Sequence, residues 1–474
     1  MQTGRDYRIL DKDLSRIGNS EGAGWIAGRP LQRAGLVLGA LSLVVFVVSL
    51  AGAGLPFNGP IMAGCIAAAY LGLNIGANDV ANSAGPAFGA GALPIGLGLA
   101  AVAAAQLAGA LLAGDRVTHT VAYEIVNYGG GAANAASPAK IMVAALTGAA
   151  IWITFANWVR APVSATHSIV GAVTGAGIVG IGAGAVNWQN VMQITLGWVG
   201  APLISGLLAS LILGLLRWRV HFAKQREEAA RLWLPLLLAT AATIFALYIL
   251  NLSETRSLSV RQFLLALTLG TAAFFGARLQ INRQVAARKG EKQTLKDMLS
   301  GPLVITALLS GFAHGANDVA NVAGPLTIIF ADVRGAELPL SVIGLSGLSI
   351  ALGSVIFGRR LVRMVGSSIT RLNPLRAFCA TLAGSTTVLA FSSVGLPVST
   401  THCVVGGIFG LGFYREWEDR FRRKSRERLP VEELQRRRLV RRSHVWTTLA
   451  AWAVTVPASG AVAASIFAIM SLID

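Results

Sequence analysis

Apolar residues in this chain neither alternate nor follow a narrow amphipathic stripe. They gather in long blocks divided by short polar or glycine-rich stretches. The blocks cover residues 35–54, 61–76, 87–114, 141–159, 191–216, 232–250, 263–276, 303–315, 338–358, 377–395 and 445–473. A helix of about 20 apolar residues crosses a hydrocarbon core of roughly 30 Å, and only helices or closed barrels satisfy their backbone polar groups there. The pattern predicts an all-α polytopic membrane protein with about 11–13 spanning or re-entrant segments. Several blocks are short or interrupted, so some are expected to enter the membrane without crossing it.

Between the blocks lies a repeated text. GANDVANSAGP at residues 76–86 returns as GANDVANVAGP at residues 315–325, and APVSATHSIVGAVTG from Ala161 is echoed by LPVSTTHCVVGGIFG from Leu396. The spacing between copies is nearly constant, 239 residues from Asn78 to Asn317 and 235 from Pro162 to Pro397. A fainter echo sets Trp198, Pro202 and Ser205-Gly206 against Trp452, Pro457 and Ser459-Gly460. Residues 60–216 and 301–474 therefore read as two paralogous repeats. Residues 217–300 supply two intervening spans with cytoplasmic linkers. Residues 34–54 form an extra transmembrane helix behind a polar cytoplasmic segment, 1–33, which lacks the short basic and apolar regions of a cleaved leader.

Composition supports the membrane reading, with 54% hydrophobic and only 13% charged residues and a mean hydropathy of +0.61. A net charge of +18 would suit nucleic acid, but the basic residues fall between apolar blocks, which is the positive-inside pattern. Nucleic acid is thereby excluded, and residues 217–231, 278–296, 359–376 and 415–442 are assigned to the cytoplasm. Matching loops of the two halves carry opposite signals. Residues 114–139 hold one Lys or Arg where 359–376 hold five, and 182–190 hold none where 415–442 hold twelve. The repeats are accordingly expected to be inverted, with the C-terminus outside. The basic loop 413–443 is expected to be a solvated loop, with a lipid-headgroup or regulatory contact as the alternative. Cys65, Cys379 and Cys403 show no pairing or metal-ligand spacing and read as buried apolar residues.

Asp79 and Asp318 lie inside apolar blocks, where an ionisable group is costly and usually functional. Gly76 and Gly315 are expected to let their helices break. Asn78, Asn82, Asn317 and Asn321 offer amide carbonyls, so carboxylate, amide and main-chain oxygens make a site for a hard cation. The structural alternative is capping and interhelical hydrogen bonding. In PVSATH and PVSTTH, Pro162 and Pro397 suit a helix start. The hydroxyls of Ser164, Thr166, Ser399, Thr400 and Thr401, with Ser83 beside the first cation motif, would then ring unpaired N–H groups, an arrangement suited to phosphate. Capping alone is again the alternative. His167 and His402 would relay protons, donate to the anion or be held by a carbonyl. Arg160 reads as an interfacial anchor or an anion counter-charge, and Gln106 as a site residue or a bridge between helices. No nucleotide fingerprint is present, so ATP-driven transport would need a partner subunit. A Ser/His/Asp hydrolase is disfavoured because the residues form two symmetric sets. A passive anion channel is disfavoured because fixed carboxylates repel anions.

Duplicated GANDVAN together with duplicated P-V-S-x-T-H resembles the PiT family of inorganic phosphate transporters. The resemblance covers most of the chain from Ile61 onward. It implies a dimeric, cation-coupled symporter with two inverted repeats that imports inorganic phosphate across the cytoplasmic (bacterial inner) membrane, in contact with membrane lipids and without an organic cofactor. Sodium and proton, or metal-phosphate, remain alternatives for coupling, and sulfate for the anion. Asp79, Asp318, Asn78, Asn82, Asn317 and Asn321 would serve ion and phosphate binding. Ser164, Thr166, Ser399, Thr400 and Thr401 would hold phosphate oxygens. The segment before residue 60 departs from the family pattern, and the central insert is short.

Overall fold

The computed structural model describes residues 59–128, 137–159, 163–252, 259–287, 295–334, 340–364, 373–423 and 442–473. Residues 1–33, the expected span 34–54, Arg160, Pro162 and residues 424–441 of the basic loop lie outside them. The first helix, α1, runs Gly59–Gly89. There follow α2, Ile95–Ala113; α3, Asp115–His119, continued by a π-helical turn to Glu124; α4, Pro138–Trp158; α5, Ala165–Gly180; and α6, Trp188–Leu216. The middle of the chain forms α7, Arg226–Leu250, α8, Val260–Ala287, and the short α9, Leu295–Met298. Then come α10, Ser300–Asp318; α11, Ala320–Arg334; α12, Leu340–Met364; α13, Pro374–Ser393; α14, Thr400–Arg423; and α15, Arg442–Ile473.

Ten stretches of the described residues are long and apolar enough to cross a membrane, and α5 is a shorter apolar helix. Among the described residues the only β pairing is an isolated bridge between Val126 and Val186. The protein is thus all-α and polytopic, as expected. Its three cysteines are free and buried.

Turn chemistry fixes where key helices stop. Gly91 at φ 74° follows α1, with Ala92 N–H donating to the Ala87 carbonyl, and Pro94 opens α2. Gly395 at φ 76° does the same after α13, where Leu396 N–H donates to the Phe391 carbonyl. A positive φ suits glycine because it has no Cβ. This second turn delivers the PVSTTH segment into the protein interior.

Packing between the helices is reciprocal. The segment α1 packs on α12 and α10 packs on α2; α5 packs on α15 and α14 on α6. Each pair crosses where one helix presents glycine to the main chain of the other. A Cβ at Gly76 would collide with the Ile350 carbonyl, and one at Gly315 with the Gln106 carbonyl. Gly171 and Gly175 face Val456 and Gly460 in the same manner as Gly406 and Gly410 face Pro202 and Gly206. Glycines four residues apart let membrane helices approach closely where no hydrophobic force draws them together. The stretch of α10 and α11 and the helix α13 are the most enclosed of the membrane-length segments, while α7, α8 and α15 expose much of their apolar surface, including Leu264, Phe275 and Ile469.

Candidate substrate and ion site

The expected helix break at Gly76 does not occur, because α1 runs unbroken through its GANDVAN segment. In the second copy the interruption falls at Val319, just after Asp318 ends α10. The glycines serve helix crossing instead, since the carbonyls opposite them leave no room for a side chain.

Two helix pairs carry the polar residues inward. α1 and α10 present the carboxylates, and the starts of α5 and α14 present the hydroxyls. Asp79 and Asp318 are buried, and the adjacent hydroxyls of Thr401 and Thr400 bring their carboxyl groups together. Thr401 Oγ1 donates to Asp79 Oδ1 at 3.4 Å and accepts from Asn82 Nδ2 at 2.9 Å. On the other side Thr400 Oγ1 donates to Asp318 Oδ2 at 3.2 Å, and Asn317 Nδ2 donates to Asp318 Oδ1 at 2.9 Å. Asn317 also clamps Val398, giving Nδ2 to its carbonyl at 2.6 Å and accepting its N–H at 3.2 Å. Thr166 Oγ1 donates to the same Val398 carbonyl at 3.2 Å and accepts from Asn321 Nδ2 at 3.5 Å. Asn321 Oδ1 is buried with no hydrogen-bond partner. Asn78 is half-buried on α1.

Ser164 and Ser399 play a local part, as each Oγ accepts a main-chain N–H three residues on, from His167 and His402, both at 3.3 Å. They cap α5 and α14, the structural role that the sequence left open. Ser83 turns away from the threonines to His314, with Oγ 2.7 Å from Nδ1. Gln106 bridges helices: Ser354 Oγ lies 2.6 Å from its Oε1 and 2.9 Å from the Gly76 carbonyl. His167 and His402 meet edge to face at 4.7 Å, and each packs against a tryptophan, Trp198 at 3.9 Å and Trp452 at 3.5 Å. His167 approaches the Trp452 main chain, but neither imidazole makes a hydrogen bond of good geometry.

Sequence reasoning missed three participants. His314 was visible as an ionisable residue in an apolar block one turn before Asp318. Ser392, whose Oγ is 3.4 Å from Asn317 Oδ1, and the main chain of Val398 carried no signal, since only folding brings them to Asn317.

Among the described residues no basic side chain pairs with either aspartate, and no group of three or more His, Cys, Asp or Glu converges. Two carboxylates side by side in a site of low dielectric cannot both stay ionised unless a proton or cation lies between them. Carboxylate, amide and hydroxyl oxygens are the ligands a hard cation takes.

Membrane-length helices around such a buried polar centre define a polytopic transporter. The model of the phosphate transporter family matches residues 75–463, and the chain belongs to that family. A protein of Helicobacter pylori strain J99, provisionally named a phosphate permease, is 35% identical over 378 residues, covering 76% of this chain and 69% of its own. The inorganic phosphate transporter 2-1, chloroplastic, of Arabidopsis thaliana is 30% identical over 468 residues, covering 90% of this chain and 75% of its own. A solved structure named the sodium-dependent phosphate transporter superposes with a TM-score of 0.77 at 28% identity, covering 88% of this chain and all of that one. The chain is a multi-pass membrane protein of a family of phosphate transporters, and the family's activity is transport, not catalysis.

Proposed function

We propose that the protein imports inorganic phosphate across the cytoplasmic membrane by symport with sodium, at a site built by Asp79, Asp318, Asn78, Asn82, Asn317, Asn321, Thr166, Thr400 and Thr401. The observation that carries this reading is the meeting of Asp79 with Asp318 under the hydroxyls of Thr400 and Thr401. A site lined by two carboxylates repels phosphate until a cation neutralises them. The cation therefore binds first, and anion binding depends on it. Thr400 and Thr401 donate to the aspartates and turn their hydroxyls to phosphate once a cation holds the carboxylates. One rotor pair thus serves both ligands. Ser164 and Ser399 contribute by holding the helix starts, whose N–H groups and dipoles favour an anion. His167 and His402 then brace these starts against the two tryptophans.

Sodium is favoured over protons by the name of the similar solved structure. Phosphate is favoured over sulfate by the names of the curated relatives. The reciprocal exchange of packing partners supports two inverted repeats, 60–216 and 301–474, separated by the spans of 217–300. Alternating access then arises by rocking one repeat pair against the other around the fixed site. The family resemblance adds a homodimer surrounded by lipid, which mass photometry in nanodiscs checks directly. The central experiment is uptake of ³²P-phosphate into proteoliposomes with sodium and proton gradients imposed separately. Accumulation driven by protons alone, or equal accumulation of sulfate, would displace the corresponding part of the reading.

A further inference from the structure

A second polar cavity lies away from the aspartates, at one end of α6, α13 and α14. It has a volume of about 210 Å³ and is lined by Leu213, Arg217, His221, Asn373, Leu375, Arg376 and Arg415. Its three arginines come from three separate basic segments, all assigned to the cytoplasm by the charge pattern. Arg217 is offset by Glu418, with Nε 3.0 Å from Oε2. The other two are not offset. Arg376 and Arg415 lie close enough to repel each other. Neither has an ion-pair partner among the described residues, and the Nε of each is buried without a hydrogen-bond acceptor. Asn373 caps α13 above them through Oδ1, which accepts the Leu375 N–H at 3.2 Å. The positive end of that helix dipole therefore adds to the two guanidinium charges.

Like charges held together with unmet donors raise the energy of the folded protein, unless an anion joins them. Arginine forks match the oxygens of a phosphate group in pairs. The cavity is smaller than the roughly 300 to 1,000 Å³ of sites for drug-sized ligands, which excludes a whole nucleotide and suits one compact head. We infer that Arg376 and Arg415, with Arg217 and the start of α13, form a second anion site that takes a single phosphate group, separate from the transport site. Free inorganic phosphate and the phosphate of an anionic lipid present the same chemistry to it. The inference does not depend on how the aspartate site works.

Modification by phenylglyoxal, mapped by peptide mass spectrometry on the full chain, tests the site in the wild-type protein. Arg376 and Arg415 should be protected by inorganic phosphate in delipidated protein if the source is free anion. They should be protected in phosphatidylglycerol nanodiscs, but not phosphatidylcholine ones, without added phosphate if the source is lipid. Protection should persist in Asp79→Asn, which separates this site from the transport site. Arg376→Gln should weaken binding of the protecting anion by roughly tenfold or more, as expected for losing a charged hydrogen bond, with Arg376→Lys in between. Modification of both arginines at equal rates with and without phosphate, and in both kinds of nanodisc, overturns the inference whether or not the variants fold.

Discussion

Neutralising one member of the aspartate pair separates cation binding from folding. The neighbouring hydroxyls of Thr400 and Thr401 hold Asp318 and Asp79 beside each other; two full charges about 4 Å apart at an effective dielectric near 20 would repel by roughly 4 kcal/mol, so without a cation the pair keeps a proton. Asp79→Asn removes the need for that proton while keeping shape and an acceptor for Thr401. The ligand-free protein should therefore unfold at the same temperature or higher. What the substitution loses is one charged ligand of the cation, worth about 1.5 to 3 kcal/mol, which is roughly tenfold to a hundredfold in affinity. Sodium at a hundred times its dissociation constant stabilises the native protein by about 2.7 kcal/mol; the variant at the same concentration should gain only about 0.4 to 1.4 kcal/mol. Thermal unfolding of purified protein in sodium chloride and in choline chloride measures both quantities, and proteoliposome uptake gives the functional counterpart. A full sodium-dependent shift in Asp79→Asn, with normal phosphate accumulation, would show that this carboxylate does not hold the coupling ion. A lower melting temperature already in choline would show that the pair is a structural hydrogen bond.

Thr401→Ala and Thr166→Ala should each weaken apparent phosphate affinity by roughly tenfold to a hundredfold, with Thr→Ser restoring most of it; unchanged uptake kinetics in both would move the anion elsewhere. Ser164→Ala and Ser399→Ala should instead lower thermal stability by about 1 kcal/mol each through loss of an N-cap, with a smaller effect on phosphate affinity, read by the same two assays. Gly76→Ala and Gly315→Ala should each cost at least about 1 to 3 kcal/mol from overpacking against a carbonyl; a variant that melts like the native protein would contradict the close helix crossing. Cysteine tags at Thr3 and Asp474 should label from opposite sides of the membrane, and labelling from one side would remove either the inversion or the 34–54 span.

Much of this protein was legible before folding was considered. Apolar blocks of membrane length dictate helices because lipid offers the backbone no other partner, and the recurrence of GANDVAN and PVSxTH marked all four segments that meet at the centre. The residue types also told which chemistry to expect, as a carboxylate is too costly at membrane depth to be ornamental. What the chain alone could not state is which hydroxyl does what. Ser164 and Thr166 stand two residues apart on one motif, yet one caps a helix and the other reaches Val398 and Asn321, because a helix start turns successive side chains to different neighbours. Gly76 read as a hinge, but its role depends on a carbonyl of Ile350, more than 270 residues away in sequence. Ser83 met His314 and Gln106 met Ser354 by the same long-range logic. The arginines of the second cavity were evidence only of sidedness while they stood on separate loops; helix packing makes Arg376 and Arg415 neighbours. Local sequence sets which groups must be buried in a membrane, through the free energy of solvating the backbone and its charges. Their partners are set by helix crossings, and those follow from side-chain shape along the whole contact, which no single segment contains.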